Sequence, residues 1–159
     1  MAVENKYVNA NLAAGEFADT NAKGGSKAIP VIEAFEVAAA DDNGSVYRVF
    51  KIKSSALVAQ LEASSDAITG GTDYDFGLYE TIANGGAVVD KDLFADGLNL
   101  SSASKRTNAL TAPDIADLDK QLWELLGLAK DPNKDYDLAI TANTVGSAAG
   151  TILVNALMA

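Results

Sequence analysis

Carboxylates are the side chains of this chain whose spacing could support chemistry. Two carboxyl groups about 5–9 Å apart act as general acid and base in glycoside hydrolysis. Aspartates recur in four Asp-x-Asp pairs: Asp73/Asp75, Asp90/Asp92, Asp117/Asp119 and Asp135/Asp137. Side chains two residues apart on a strand share one face of it, and exposed acids are usual on a strand with one wet face. We therefore expect these pairs to be solvated acids that form no catalytic site.

The chain contains neither histidine nor cysteine. It therefore lacks thiolate nucleophiles, imidazole or thiolate metal ligands, disulfides, and the side chain most often used for proton transfer near neutral pH. Asp90, Asp92 and Asp96 come nearest to a calcium loop, but their spacing is wrong and Lys91 interrupts them. We expect a protein that is not an enzyme, with no catalytic residues, no cofactor and no metal.

Charge is distributed unevenly along the 159 residues, which carry a net charge of −10. Residues 1–28 contain three bases and three acids, whereas residues 29–159 contain nine bases and nineteen acids. An acidic body is repelled by phosphate backbones and by anionic lipid surfaces, so we expect neither nucleic acid nor membrane as a partner. The first residues lack a secretory signal pattern, and no apolar run approaches about 20 residues. We expect synthesis in a cytoplasm and a soluble product.

The elements that position these acids read as strands. The sequence Asp-Tyr-Asp-Phe-Gly-Leu at residues 73–78 recurs loosely as Asp-Tyr-Asp-Leu-Ala-Ile at residues 135–140. Large apolar residues alternate with small or acidic ones in both copies, which is typical of half-buried strands. Although 48% of the residues are apolar, 29 of the 159 are alanine, which suits thin packed sheets. Turn clusters between the strands complete the pattern, which predicts one antiparallel all-β domain over residues 29–159, a sandwich or a barrel.

Two segments have helical features. Ile115, Leu118, Leu122 and Leu125 follow a helical spacing, with Pro113 in the first turn and Gly127 at the stop. This pattern predicts one short amphipathic helix at about residues 113–126. A second, shorter segment at residues 90–97 is predicted to form one or two helical turns that end at a glycine.

Residues 1–28 differ from the rest in being rich in Ala, Asn, Gly and Lys, and a Gly-Gly-Ser break at residues 24–26 lies near their end. One interpretation is a disordered tail, and the other is an extended N-terminal arm that becomes ordered against a partner. In the second case its widely spaced apolar residues would be the partner-binding anchors. Those residues are Tyr7, Val8, Leu12 and Phe17.

The chain also resembles a known family. Residues 67–79 read Ala-Ile-Thr-Gly-Gly-Thr-Asp-Tyr-Asp-Phe-Gly-Leu-Tyr, and residues 85–98 read Gly-Gly-Ala-Val-Val-Asp-Lys-Asp-Leu-Phe-Ala-Asp-Gly-Leu. Together with residues 136–141 and 143–151, these stretches are similar to capsid cement proteins of short-tailed bacteriophages, which are also called decoration or head-stabilising proteins. The resemblance covers roughly residues 30–157 and is weaker in the first 28 residues.

The resemblance implies a jelly-roll-like sandwich on the outer capsid surface of a virion, made in the cytoplasm of a bacterial host. Its expected partners are the major capsid protein, whose neighbouring subunits it would clamp, and further copies of itself, with a homodimer favoured and a trimer possible. The alternative is a carbohydrate-binding β-sandwich module, which would use Tyr47, Tyr79 and Trp123 as exposed aromatic platforms.

Overall fold

Two sheets, antiparallel except for one edge strand, pack face to face in the described part of the chain. The computed structural model describes residues 2–7 and 28–159, and for Lys6 and Tyr7 it describes the backbone only. Alternating apolar residues and glycine-containing turns divide the described residues into nine strands. Their bounds are Asn5–Tyr7 (β1), Ile29–Val37 (β2), Ser45–Lys53 (β3), Val58–Ser65 (β4), Asp73–Glu80 (β5), Val88–Leu98 (β6), Ser104–Asn108 (β7), Asp135–Thr144 (β8) and Gly150–Met158 (β9).

The strand order identifies the topology. One sheet runs β2-β9-β4-β7, and the other runs β3-β8-β5-β6 with β1 added at its β3 edge. If β2 to β9 are labelled B to I, these orders are B-I-D-G and C-H-E-F, the two sheets of a jelly roll. The predicted jelly-roll-like antiparallel sandwich is therefore confirmed, and β1 is an addition that pairs with β3 in parallel.

The two Asp-Tyr-Asp strands, β5 and β8, are neighbours in the centre of one sheet. Their alternate large residues, including Phe76 and Ile140, point into the core between the sheets and are fully buried. The opposite face was expected to be wet, but Asp75 and Asp137 on that face are also fully buried. The prediction of a solvated acidic face is therefore wrong for the second aspartate of each pair.

A bulge in β6 covers part of that outer face. β6 pairs with β5 at Phe76↔Ala95 and at Leu78↔Asp90, so the residues between Asp90 and Ala95 lie opposite Gly77 alone. They fold over the sheet so closely that a Cβ on Gly77 would lie 2.1 Å from the carbonyl oxygen of Asp90. The helical turns predicted for residues 90–97 are wrong, because this segment is an extended, bulged strand in which Gly97 has a positive φ.

The predicted amphipathic helix at residues 113–126 is also largely wrong. The loop between β7 and β8 contains a 3₁₀ turn at Ile115–Asp117 and a single α-helical turn, α1, at Leu122–Leu125. The backbone amides of Leu122 and Trp123 donate to carbonyls of the body, and Gln121 is extended, so the helix begins only after it. Leu122 is buried, whereas Ile115 is 90% exposed. Among the described residues no helix has the length and apolar character to span a membrane.

The expected N-terminal arm is described only in part. Tyr7 lies in β1, whose backbone pairs with β3, and its side chain is outside the described residues. Val8, Leu12 and Phe17 lie outside them as well. The division into residues 1–28 and 29–159 stays a prediction.

Gly77→Ala tests the close approach of β6 to β5. Gly77 is not at positive φ, so the cost of the substitution is steric and falls on backbone atoms that have no room to move. We expect a loss of about 3 kcal/mol in the free energy of unfolding, measured by urea denaturation. Gly127→Ala is the matched control, because Gly127 has φ 69° and open space around it, so only backbone strain of about 1 kcal/mol arises. Equal losses at the two sites would contradict the packing described.

Candidate functional site

A buried ion pair lies on the outer face of the β3-β8-β5 sheet. Arg48 of β3 donates from Nη1 to Asp137 Oδ2 of β8 at 2.8 Å, and both side chains are fully buried. Removing two charges from water costs several kcal/mol for each ion, so such a pair persists only with close contact and further hydrogen bonds. The second aspartate of β8 is therefore held as a structural counter-ion.

Further bonds from Arg48 connect four parts of the chain. Nε donates to Asn5 Oδ1 of β1 at 2.9 Å, and Nη1 also donates to the Glu80 carbonyl at 2.8 Å. Nη2 donates to the Gly86 carbonyl at 2.7 Å, and the guanidinium lies 5.2 Å from the ring centroid of Tyr79. Arg48 thus holds β1, the end of β5, the β5–β6 turn and β8 around one positive charge.

Asp75 of β5 is neutralised in a similar way by Lys91, which the β6 bulge carries across the sheet. Its carboxylate also accepts from the Asn143 amide at 2.6 Å and from the Gly97 backbone amide at 2.9 Å. Burial by itself would raise the pKa of Asp75, but these three donors outweigh it and the pKa is lowered. The hydrogen bond to Asp75 in turn raises the pKa of Lys91. Asp75 therefore stays ionised and is unsuited to act as a general acid.

Three carboxylates come together at this point. Oxygens of Asp73, Asp75 and Asp96 lie within 4.8 Å of one another, which is close enough for shared cation coordination. Here the ammonium of Lys91 already contacts Asp75, and the Asn143 amide bridges Asp75 and Asp73. The cluster therefore has a cation of its own, and its geometry is that of a salt-bridge network.

Asp90 and Asp92 border a groove between β6 and the β7–β8 loop. The groove has a volume of roughly 380 Å³, and five aspartates line it together with apolar residues that include Leu93 and Leu125. Burial raises the pKa of Asp90, and a hydrogen bond with the Asp92 side chain raises it further. Asp92 also donates its backbone amide to Asp90 Oδ1 at 3.4 Å. The two aspartates therefore interact with each other at the edge of the groove.

The aromatic platforms expected for sugar binding are largely inaccessible. Tyr47 is fully buried, and its hydroxyl donates to Asp41 at 2.6 Å. Burial raises the pKa of Tyr47, and the hydrogen bond to Asp41 adds to that effect. Tyr79 is buried beside Thr141, so only Trp123 of the three is partly exposed, with its indole N–H bonded to Gln121. The prediction that Tyr47 and Tyr79 are exposed is wrong.

Arg48 is the residue that the sequence interpretation missed. It stands between Tyr47 and Val49 in a nearly continuous apolar run, which is typical of a strand buried on both faces. A charged side chain is buried in such a strand only when a counter-ion pairs with it. That signal, combined with an aspartate in each of two central strands, was sufficient to suggest a buried pair. The sequence does not identify Asp137 as the partner of Arg48, because the local pattern does not determine the order of strands in the sheet.

Arg48→Met tests the contribution of the buried pair to stability. The substitution leaves the Asp137 carboxylate without its counter-ion in a dry site, and we expect a loss of about 3–5 kcal/mol in the free energy of unfolding. Arg48→Met combined with Asp137→Asn removes both charges and should cost clearly less than the sum of the single losses. Urea denaturation of the four proteins measures the coupling, and strictly additive losses would contradict it.

Lys91→Met tests the neutralisation of Asp75. The folded-state pKa of Asp75 lies below its ordinary value of 3.8, so its stabilising contribution is fully present above about pH 4 and is lost as the pH falls through the folded-state pKa. At pH 7 we expect Lys91→Met to lower the free energy of unfolding by about 1–3 kcal/mol. Below pH 4 the difference from the wild type should shrink, because protonated Asp75 no longer needs a cation.

Lys120→Met is the control for that experiment, because Lys120 pairs with Asp117 at the surface. It should leave the pH dependence of stability as in the wild type. A Lys91→Met deficit that is constant between pH 3 and pH 7 would refute the assignment.

Comparison with known proteins adds one finding about the fold. No protein-family model matches the chain, and no curated protein sequence matches it. Among solved structures, a chain from the "Capsid of Ralstonia phage GP4" superposes with a TM-score of 0.57 and 9% sequence identity. The match covers 85% of this chain and 86% of that chain, so the two chains are of similar length. What this likeness shows is a shared fold, the all-β sandwich.

Proposed function

We propose that this protein is a structural component of a bacteriophage virion, which binds the outer surface of the assembled capsid and cements neighbouring major capsid subunits. The observation that carries the proposal is the fold match with a chain of similar length from the capsid of a Ralstonia phage. The sequence resemblance to cement proteins over roughly residues 30–157 points the same way. A fold alone supports many functions, so the proposal also draws on the charges and the buried network.

The buried acids favour a scaffold over an enzyme. Asp75 and Asp137 belong to two of the four Asp-x-Asp pairs, and each forms an ion pair with a cation of its own chain. Such groups fix the geometry of the sheet and are not available to a substrate. Asp90 and Asp92 interact with each other, and the chain has no histidine that could move a proton beside them. We therefore propose a non-catalytic role.

The net charge favours the outer side of a shell. A chain with a charge of −10 is repelled by packaged DNA, and this repulsion favours a position away from the genome. A protein that binds only the assembled shell stabilises it by mass action, because every bound copy must leave before the subunits separate. The proposed partners are the major capsid protein and further copies of this chain.

The direct test is binding of the purified protein to shells that lack it. Shells assembled without this protein are mixed with it and sedimented, and the bound fraction and the temperature of shell disruption are measured. We expect saturable binding to the outside and a higher disruption temperature. Absence of binding, together with absence of the protein from purified virions by mass spectrometry, would refute the proposal.

The apolar residues of the arm provide a second prediction. Val8→Ser, Leu12→Ser and Phe17→Ser are combined in one variant, which keeps the residues of β1 that pair with β3. If these side chains are partner-binding anchors, the affinity for shells should fall at least tenfold while urea denaturation of the free protein is unchanged. Ala10→Ser, Ala14→Ser and Ala18→Ser form the matched control, because they add the same hydroxyls without removing large apolar groups. Equal affinity of the two triple variants would contradict the anchor hypothesis.

A further inference from the structure

The edge of β3 is built to receive an extended segment. The amide of Val46 donates to the Glu4 carbonyl at 2.6 Å, and the Glu4 amide donates to Ser45 Oγ at 3.2 Å. Further along, the Asp42 amide donates to the Ala2 carbonyl at 3.0 Å. Residues 2–7 are thus held by backbone bonds in parallel register along the edge.

Arg48 makes this edge selective. Its Nε donates to the Asn5 carboxamide, and the guanidinium is fully buried when the segment is in place. If the segment left, Nε would lose its acceptor, which is costly for a charged donor inside a protein. The edge therefore offers a charged donor to a segment that carries an acceptor at the position of Asn5.

The acceptor site does not depend on the chain that fills it. Its groups come from β3, from the turn before it and from the β5–β6 turn, all within residues 41–86. The described side chains of the segment, at residues 2–5, lie outside the apolar core between the sheets. The segment is therefore separable from the sandwich, and the same contacts form whichever copy supplies it.

The connection to the sandwich is long. Residues 8–28 join β1 to β2, and 21 residues of chain can span at most about 70 Å when fully extended. That range reaches a neighbouring protein of this size. Parallel strands are joined by long connections and not by a tight turn. The connection therefore does not force β1 to pair with β3 of the same copy.

We propose that the β3 edge is a strand-acceptor site for residues 2–7 of a second copy of this chain. The inference rests on the proposed function, because copies fixed side by side on a shell hold each other's segments at a high local concentration. Exchange of an identical element costs little, since the hydrogen bonds that break within one copy form again between two copies. The exchanged segments tie the copies together without any additional interface.

Disulfide cross-linking can test the exchange, because the chain has no cysteine and each introduced thiol is the only one in its protein. Ala2→Cys and Asp42→Cys are introduced into two separate full-length proteins, so each carries one thiol beside the Ala2–Asp42 hydrogen bond. The two proteins are mixed in equal amounts, bound to shells that lack the protein, and oxidised mildly. Exchange predicts a disulfide between the two different proteins, identified by non-reducing electrophoresis and by mass spectrometry of the linked peptides.

Two controls separate exchange from chance collision. Ala2→Cys mixed with Asp119→Cys places the second thiol on the exposed β7–β8 loop, and should give at least tenfold less cross-linked product. Asn5→Leu added to the Ala2→Cys protein removes the acceptor of Arg48 and should lower the yield severalfold. A double variant with both cysteines in one chain reports docking within a chain as an oxidised monomer.

The proposal is overturned if the double variant oxidises only to monomer and the mixture gives no more product than the Asp119→Cys control. If the wild type neither binds shells nor occurs in purified virions, the proposed function is refuted, and the same mixture at about millimolar concentration in solution then decides the exchange. Cross-linking there in the absence of shell binding would support the acceptor site alone.

Discussion

The burial of Arg48 against Asp137 constrains the whole outer face of its sheet. Two charges removed from water must be paired and supported by further hydrogen bonds, so the chain around them has little freedom. The guanidinium of Arg48 donates to the Gly86 carbonyl in the β5–β6 turn, to the Glu80 carbonyl at the end of β5, and to the Asn5 side chain in β1. These bonds fix the positions of the three segments relative to β3. A sheet face that would otherwise be wet becomes a second, polar interior, and the sandwich gains rigidity on both sides of its central strands.

The sequence pattern predicted the all-β sandwich, because alternation in residues 73–78 and 135–140 depends only on local geometry. It failed where non-local contacts decide. Gly97 suggested the end of a helical segment that begins at residue 90. In the structure the same residues pair with β5 and form a bulged strand that packs over Gly77. Ile115 and Leu118 have helical spacing, yet the backbone amides of Leu122 and Trp123 donate to carbonyls of the sandwich. These bonds replace the intrahelical bonds that a longer helix would need at those two amides. Asp75 and Asp137 read as solvated acids, since the cations that bury them lie far away in the sequence.

The two buried aspartates have a structural role and not the solvated role that the sequence suggested. Paired acids on a strand are the usual starting point for a hydrolase hypothesis, and here the structure assigns the two central ones to Lys91 and Arg48. The acids that stay near solvent contribute to the net charge of −10. Rigidity, an acidic surface and an edge that accepts a strand are properties of a scaffold that must hold neighbours in place. They are consistent with the proposed role on a shell that resists internal pressure.

A reconstruction of the virion capsid at side-chain resolution is the sharpest test of the proposed role. We expect density for the jelly roll on the outer surface, in contact with at least two major capsid subunits, and a strand along β3 with its asparagine on Arg48. Capsid density without the sandwich on its outer surface, or with the sandwich on the inner surface beside the DNA, would contradict a cementing role.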